Sequence, residues 1–335
     1  MDSDVSMTVE SAIEMFTSIM CSLNEIGKQT FLSFIADNWK PQNVKIESLS
    51  KNAYGMTNDC YNKRSSQEEK LNTIKDIVLN IRNKVPTNGI FPSEDIVPPT
   101  IGQNSDCDPR STKHVDAFLY DEKEVDELIE NGELNTLYCA DCGSSNIKQY
   151  NIISHSLSVA GILYIFHSVL PSLSEKVVLD IGSRLGAVLY GAHTFTSAKK
   201  IIGVEMNKEL CSLQNDIVNK YKMNDRIEIV NKRIEECPEI IQKSNIIIIH
   251  NPFEFYVSHS VHRDIWIFLK ATIQSGTILV TKPSIETTFK NLKIKEVNKW
   301  VKPYERKKTI SEPHIFASLF LDPTEYADIK FYEVI

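Results

Sequence analysis

Two acids and two glycines stand at a spacing that suits a nucleotide. Between Lys176 and Glu205 a β-branched run (Val177, Val178, Leu179) ends on Asp180, and the chain turns through Gly182 and Gly186. An apolar, helix-like segment follows, then a second apolar run closing on Glu205. Strand, glycine turn, helix and strand with an acid at its tip make the first half of a nucleotide-binding α/β unit. The glycines let the backbone approach a ligand and open the following helix toward it, while an acid about 20 residues on suits ribose hydroxyls. The chemistry implied is the holding of an adenosine-containing cofactor. A second constellation is Cys139 and Cys142, a CxxC in LYCADCGSSN whose following glycine resembles a zinc knuckle. A closed zinc site needs about four ligands. Cys107 and His114 are the nearest upstream candidates, giving C-x6-H-x24-C-x2-C. The rival reading is a reduced cysteine pair in a tight turn. A thioredoxin-type redox role is disfavoured because the pair does not sit between a strand and a helix.

The elements that must position these residues follow from periodicity. Residues 1–85 read as a helical N-terminal region, with apolar residues at helical spacing from Val9 to Trp39 and again from Glu68 to Lys84. Residues 86–115, rich in Pro, Gly, Asn and Asp, read as a linker. Residues 116–149 form a small acidic segment, helical through Val125, Leu128 and Ile129, that carries the CxxC. From residue 150 helices and strands alternate. A helix is expected from Ser158 to Val169, with further helices over Lys208–Lys222, Glu235–Gln242 and Val261–Gln274. Strands are expected at Arg226–Val230, Ile246–Ile249 and Thr277–Thr281. That alternation implies a mainly parallel sheet covered on both faces. Two closing strands, His314–Leu321 and Ile329–Val334, suggest an antiparallel hairpin and about seven strands in all.

The Asp180–Gly186 turn, the tip acid Glu205, the motif HNPFEFY (His250 to Tyr256) after a buried strand, and the closing hairpin together resemble the class I S-adenosylmethionine-dependent methyltransferases. The resemblance covers about Asn151 to Ile335. It implies an α/β fold: a Rossmann-like, doubly wound, mostly parallel seven-stranded sheet with a C-terminal antiparallel hairpin, here preceded by a helical N-terminal region. It places Asp180, Gly182 and Gly186 beside the methionine part of S-adenosylmethionine and Glu205 at the ribose. It also places Asn251, Pro252, Phe253 and Glu254 in the catalytic loop. Family members acting on amino nitrogens use an acid or asparagine, two prolines and an aromatic to accept N–H bonds and aim the lone pair. HNPFEFY keeps Asn251, Pro252 and Phe253 but lacks the second proline, and it resembles more loosely the loop of the non-SET histone lysine methyltransferases. Glu254 could orient or deprotonate a substrate amine. An ordinary strand-to-helix turn with core aromatics is the alternative. A dinucleotide dehydrogenase is the competing reading of the first unit, but the G-x-G-x-x-G turn is absent.

Two departures bear on that resemblance. Arg184 stands where the middle glycine of the loop belongs; its side chain could crowd the cofactor or swing outward and pair with the cofactor's carboxylate. After the third strand, where an acid usually receives the adenine amino group, the chain has Asn231 and Arg233, and arginine cannot accept a hydrogen bond. Asn231 or Glu235 is the substitute acceptor. A methyltransferase of protein nitrogen, or secondarily of RNA, is the expected function, with a non-catalytic methyltransferase-like interaction module as the alternative and a zinc-dependent adaptor as a third.

Composition narrows the partners. A net charge of -7 argues against a broad electrostatic grip on nucleic acid and offers no strong DNA signal. The run Lys290–Lys308, basic with Trp300 and Tyr304 interleaved, could hold an acidic protein or an RNA backbone, although a solvated insertion is the favoured reading. The N-terminus lacks the pattern of a secretory signal and no apolar run approaches membrane-spanning length. Seven scattered cysteines fit a reducing compartment, cytoplasmic or nuclear. His250, next to Asn251, is the histidine to watch; the others show no metal-ligand spacing.

Overall fold

The computed structural model describes residues 15–16, 18–20, 22–38, 68–102, 104–141, 143, 145–305 and 326–335. Contacts divide the chain into two units, Met1–Thr73 with Lys308–Leu321, and Ile74–Lys307 with Asp322–Ile335. In the first, helix α1 spans Glu25–Asn38, and the Asn24 side chain accepts the Gly27 N–H at 2.8 Å, the usual way an asparagine closes a helix start. All that follows concerns the second.

Its centre is a seven-stranded sheet in the order β10-β11-β9-β8-β5-β6-β7. The strands are β5 (Val177–Ile181), β6 (Lys200–Glu205), β7 (Ile227–Asn231), β8 (Ile246–His250), β9 (Ile278–Lys282), β10 (Val301–Pro303) and β11 (Lys330–Val334). Pairing among β7, β6, β5, β8 and β9 is parallel, whereas β11 runs antiparallel to both β9 and β10. The middle strands are runs of Ile, Val and Leu without polar alternation because helices cover both faces. Those helices are α5 (Ala187–Phe195), α6 (Lys208–Lys220), α7 (Pro238–Lys243), α8 (His259–Thr272) and α9 (Ile285–Asn291). Trp266 of α8, Phe289 of α9 and Trp300 meet over β8 and β9, with Phe289 and Trp300 stacked at 5.5 Å. From β5 the chain winds outward through β6 and β7, then returns across β5 to β8 and β9. That reversal opens a crevice at the carboxyl ends of β5 and β8, where ligands of such sheets bind.

The closing hairpin departs from expectation. Residues 314–321 lie outside the described residues, and the partner of β11 is β10, inside the basic run expected to be a solvated insertion. Trp300 and Val301 are buried there. Lysines on either side raised the local charge and hid a three-residue strand, which is too short to show alternation. The expected helix at Ser158–Val169 is present as α4 (Val159–Leu163), capped by Ser158 and continued by a π-helical turn, Tyr164–Val169. Among the described residues no helix is long and apolar enough to cross a membrane.

Helix α2 spans residues 68–82, and its part in this unit, from Ile74 on, buries Ile77 and Ile81 completely. Acidic α3 (Glu122–Glu130) starts with a capping box between Asp121 and Glu124 and buries none of its residues, as its charged face leads one to expect. The stretch expected as a linker instead lies across the sheet's carboxyl edge. Val97 N–H donates to Phe255 C=O at 2.9 Å, Ser93 Oγ donates to Glu209 at 2.6 Å, and Asn104 Nδ2 donates to Glu254 at 2.9 Å. Then β1 (Thr112–His114) pairs in parallel with β4 (Asn151–Ile153). A strap made of Pro, Gly and Asn has no periodicity to betray it. It is fastened by polar groups projecting from the sheet side, and composition does not encode those.

Candidate functional site

At the crevice, parallel register sets Asp180 of β5 beside Gly203 of β6 and Ile248 of β8, and places Glu205 beside Asn231 of β7. The turn between the two acids is left-handed at three positions: Gly182 (φ 72°), Arg184 (φ 46°) and Gly186 (φ 85°). A side chain at Gly182 would strike Pro252 at 2.5 Å, and one at Gly186 would strike the Tyr190 ring at the same distance. Both glycines are therefore required by the protein's own packing, and the Gly182–Pro252 approach ties the loop after β5 to the loop after β8.

Asp180 is buried, and among the described residues its carboxylate has no hydrogen bond and no cation facing it. Burial, with the Glu205 carboxylate adding to it, raises its pKa to about 8; a lone buried acid keeps its proton in this way. Glu205 is also raised, chiefly by burial, but it accepts the N–H groups of Arg184 at 3.0 Å and Asn207 at 2.8 Å. Asn231 donates its amide to the carbonyls of Glu205 and Met206, both at 3.0 Å, and so braces the β6 tip. Arg233 pairs with Glu235 at 3.1 Å, which occupies one of the two substitute acceptors considered for an adenine amino group.

The Arg184 side chain does not fill the space between the two acids. Its guanidinium crosses to the strap, pairing with Glu94 at 2.9 Å and Asp116 at 2.8 Å, and donating to the Gly89 carbonyl at 2.6 Å and Ser156 at 3.2 Å. The side chains are 8%, 2% and 0% exposed for Arg184, Glu94 and Asp116. Burial of a guanidinium is tolerated only when its fork of donors is filled, as here. Tyr256 lies half-buried alongside, and desolvation raises its pKa. Glu94 and Asp116 were not singled out from the sequence. Their one signal was the misplaced arginine, which required buried acids somewhere.

Across β5 from the acids, the strap roofs a cavity of about 270 Å³ at the ends of β8 and β9. Val97 and Pro99 of the strap, Asn251 and Phe253 of the loop, Trp266 of α8 and Lys282 of β9 line it, with Pro252 and Glu254 at the same wall. Asn251 is left-handed at φ 50°, which turns the chain sharply off the strand tip. His250 is half-buried, and its pKa falls to about 3, through desolvation first and Lys282 second, so it stays neutral. His155 is lowered to a similar value by burial and by Arg184, and its Nε2 lies 2.8 Å from His114 Nδ1.

Among the described residues the expected metal ligands are not brought together. His114 is stacked on His155 and hydrogen-bonded to it. Cys107 is buried, accepts the Asn151 amide at 3.6 Å, and burial raises its thiol pKa, away from the thiolate that zinc requires. Cys139 Sγ donates to the Asp141 carbonyl at 2.8 Å in the hairpin of β2 (Leu137–Cys139) and β3 (Ile147–Gln149), and Cys142 lies outside the described residues. Among the described residues no three potential ligands converge.

No protein-family model matches the sequence, and no curated protein matches it. Solved structures are similar over part of the chain. Precorrin-6y C5,15-methyltransferase from Geobacter metallireducens GS-15 is 14% identical, with a TM-score of 0.36 over 45% of this chain and 77% of that one. An RNA methyltransferase from Salinibacter ruber, in complex with S-adenosyl-L-homocysteine, is 19% identical, with a TM-score of 0.28 over 36% and 70%. PKMT2 from Rickettsia typhi is 26% identical, with a TM-score of 0.30 over 36% of this chain and 23% of that one. The sheet itself, parallel except for β11 set between β9 and β10, with a glycine turn joining the tip acids of its central strands, gives this chain a Rossmann-like, doubly wound α/β fold.

Proposed function

We propose that this chain is an S-adenosylmethionine-dependent methyltransferase that methylates a nitrogen on a protein substrate. The observation that carries the reading is Asp180: a buried carboxylate with neither hydrogen bond nor facing cation, at the tip of the central strand and beside Glu205. Such a group is costly unless a ligand completes it, and an ammonium is the natural complement. Each Glu205 oxygen accepts one backbone N–H and keeps a lone pair for a hydroxyl. The donor set therefore fits S-adenosylmethionine, with Asp180, Gly182, the Arg184 backbone and Gly186 at the amino-acid end and Glu205 at the ribose. Asn231, whose amide nitrogen is engaged but whose oxygen has no bond among the described residues, serves the adenine. When bound, the cofactor supplies an electrophilic methyl group.

Asn251 faces the cavity and accepts an N–H of the entering amine, Pro252 and Phe253 shape the wall, and Glu254, steadied by Asn104, holds the proton the amine must lose. A cavity of about 270 Å³ admits a side chain rather than a stacked base pair. The net charge of -7 favours a protein over RNA as the partner. Calorimetry of the full chain with S-adenosylmethionine tests the cofactor, and transfer of labelled methyl to protein against RNA fractions tests the substrate. Heat that disappears in Asp180→Asn is expected. No heat at millimolar cofactor would leave the second reading, a non-catalytic methyltransferase-like module, which the burial of Arg184 against Glu94 and Asp116 favours.

A further inference from the structure

We infer that residues 89–102 and 104–116 form an autoinhibitory strap, bolted across the switch point by Arg184, that must lift before a cofactor can reach Asp180 and Glu205. The inference rests on reading those two acids as the cofactor's, and the strap itself rests on geometry alone. The bolt is one guanidinium rising from the turn between the acids. It is held at both ends of the strap, by Gly89 and Glu94 at one end and by Asp116 at the other. Outer fastenings lie to each side. Ser93 holds the N-terminus of α6 through Glu209 and Asn207. Val97 and Asn104 hold the loop after β8 through Phe255 and Glu254. The same segment thus covers the acids and roofs the neighbouring cavity, so one movement opens both.

The closure is held against a charge imbalance. Glu94 and Asp116 above and Glu205 below set three carboxyl groups around one guanidinium, and the Glu94 charge is felt unfavourably by Glu205. Asp180 has no cation at all. A strap whose buried ion pairs gather at one residue, and whose Glu94 is repelled by the Glu205 it covers, is suited to opening as a unit. A cationic ligand on the acids would remove the imbalance that closure leaves in place.

Glu94→Gln retains the shape and one acceptor oxygen but removes the charge and replaces the other acceptor, which takes the N–H groups of Arg184 or Phe91, by a donor. Carbodiimide labelling of carboxyl groups, read by mass spectrometry on the folded full chain, reports whether Asp180 and Glu205 are covered, with no cofactor present. Expected is protection of both acids in the parent chain and a rise of about tenfold in Glu94→Gln, the size of replacing one charge-assisted hydrogen bond by a neutral one. Ser93→Ala, which touches only the exposed outer fastening, should give a smaller rise and guards against general unfolding of the first variant. Equal labelling of the acids in parent and both variants would overturn the strap. Stopped-flow binding of S-adenosylhomocysteine then reads the gate, with faster association in Glu94→Gln expected. Opening seen by labelling without binding by either protein would leave the strap standing and remove the cofactor reading, whereas rapid binding by a parent chain whose strap amides stay protected from hydrogen exchange would remove the gate.

Discussion

Arg184 sits in a left-handed turn position that glycine fills at no cost, and its side chain is nonetheless almost fully buried. The backbone strain amounts to about 1 kcal/mol, while leaving Glu94 and Asp116 buried without their partner costs about 3–5 kcal/mol. The second effect wins, so Arg184→Gly, which restores the expected glycine pattern, should destabilise the chain by several kcal/mol, measured by urea unfolding. Asp180 yields a second expectation. Its folded pKa of about 8 lies above the ordinary carboxylate value, so at neutral pH the unligated protein keeps the proton, and a ligand ammonium must displace it. Below pH 8 the affinity for S-adenosylhomocysteine should rise up to about tenfold per pH unit. One proton should be released on binding, measured by calorimetry in buffers of different ionisation enthalpy. Asp180→Asn should abolish the release. For the same reason Asp180 lowers fold stability as pH climbs from its unfolded pKa toward 8, because there the folded state holds the extra proton. Asp180, Gly182, Gly186 and Glu205 were legible in the sequence since strand, turn and strand place them by local chain geometry. The partners of Arg184 were not, because they lie 68 and 90 residues away in a segment without periodicity.

At the level of elements, the strands and helices of the sheet were readable because burial on both faces forces continuous apolar runs and helical periodicity. The basic run after α9 was not, since its lysines mark the solvent side of an edge strand whose other side is core. Trp300 stacks on Phe289 with an interplanar angle of 6° and packs edge-on against Trp266. Were this stretch a solvated insertion, Trp300→Ala would change stability by no more than about 0.5 kcal/mol. As the lid on the α8–α9 core it should cost about 3–5 kcal/mol, and equilibrium denaturation distinguishes the two. The same substitution should also loosen Trp266, which walls the cavity, so weaker substrate binding is expected with cofactor binding unchanged.

For the whole molecule, the open point is where the unit holding the seven-stranded sheet begins. Periodicity alone puts its start at residue 150, after a linker and an acidic segment, and a fragment 150–335 would contain every strand of the seven-stranded sheet. Contacts give another answer, since the unit holding the sheet reaches back to Ile74. Cutting at 150 removes Gly89, Glu94 and Asp116 from Arg184, Val97 from Phe255, and β1 from β4. It also removes Ile77 and Ile81, both fully buried. A guanidinium left with Ser156 as its remaining partner among these can turn to water, so the polar loss alone is survivable. Uncovering the apolar surface is not, at about 25 cal/mol per Å² exposed. The 150–335 fragment should therefore unfold at markedly lower temperature than the full chain and bind an apolar dye, while a fragment beginning at 68 should keep a single cooperative transition. Scanning calorimetry of the two fragments decides it. Equal stability of the shorter fragment would mean that the strap rests on a finished domain, and the segment from 74 to 149 would then be an addition to the fold rather than part of its core.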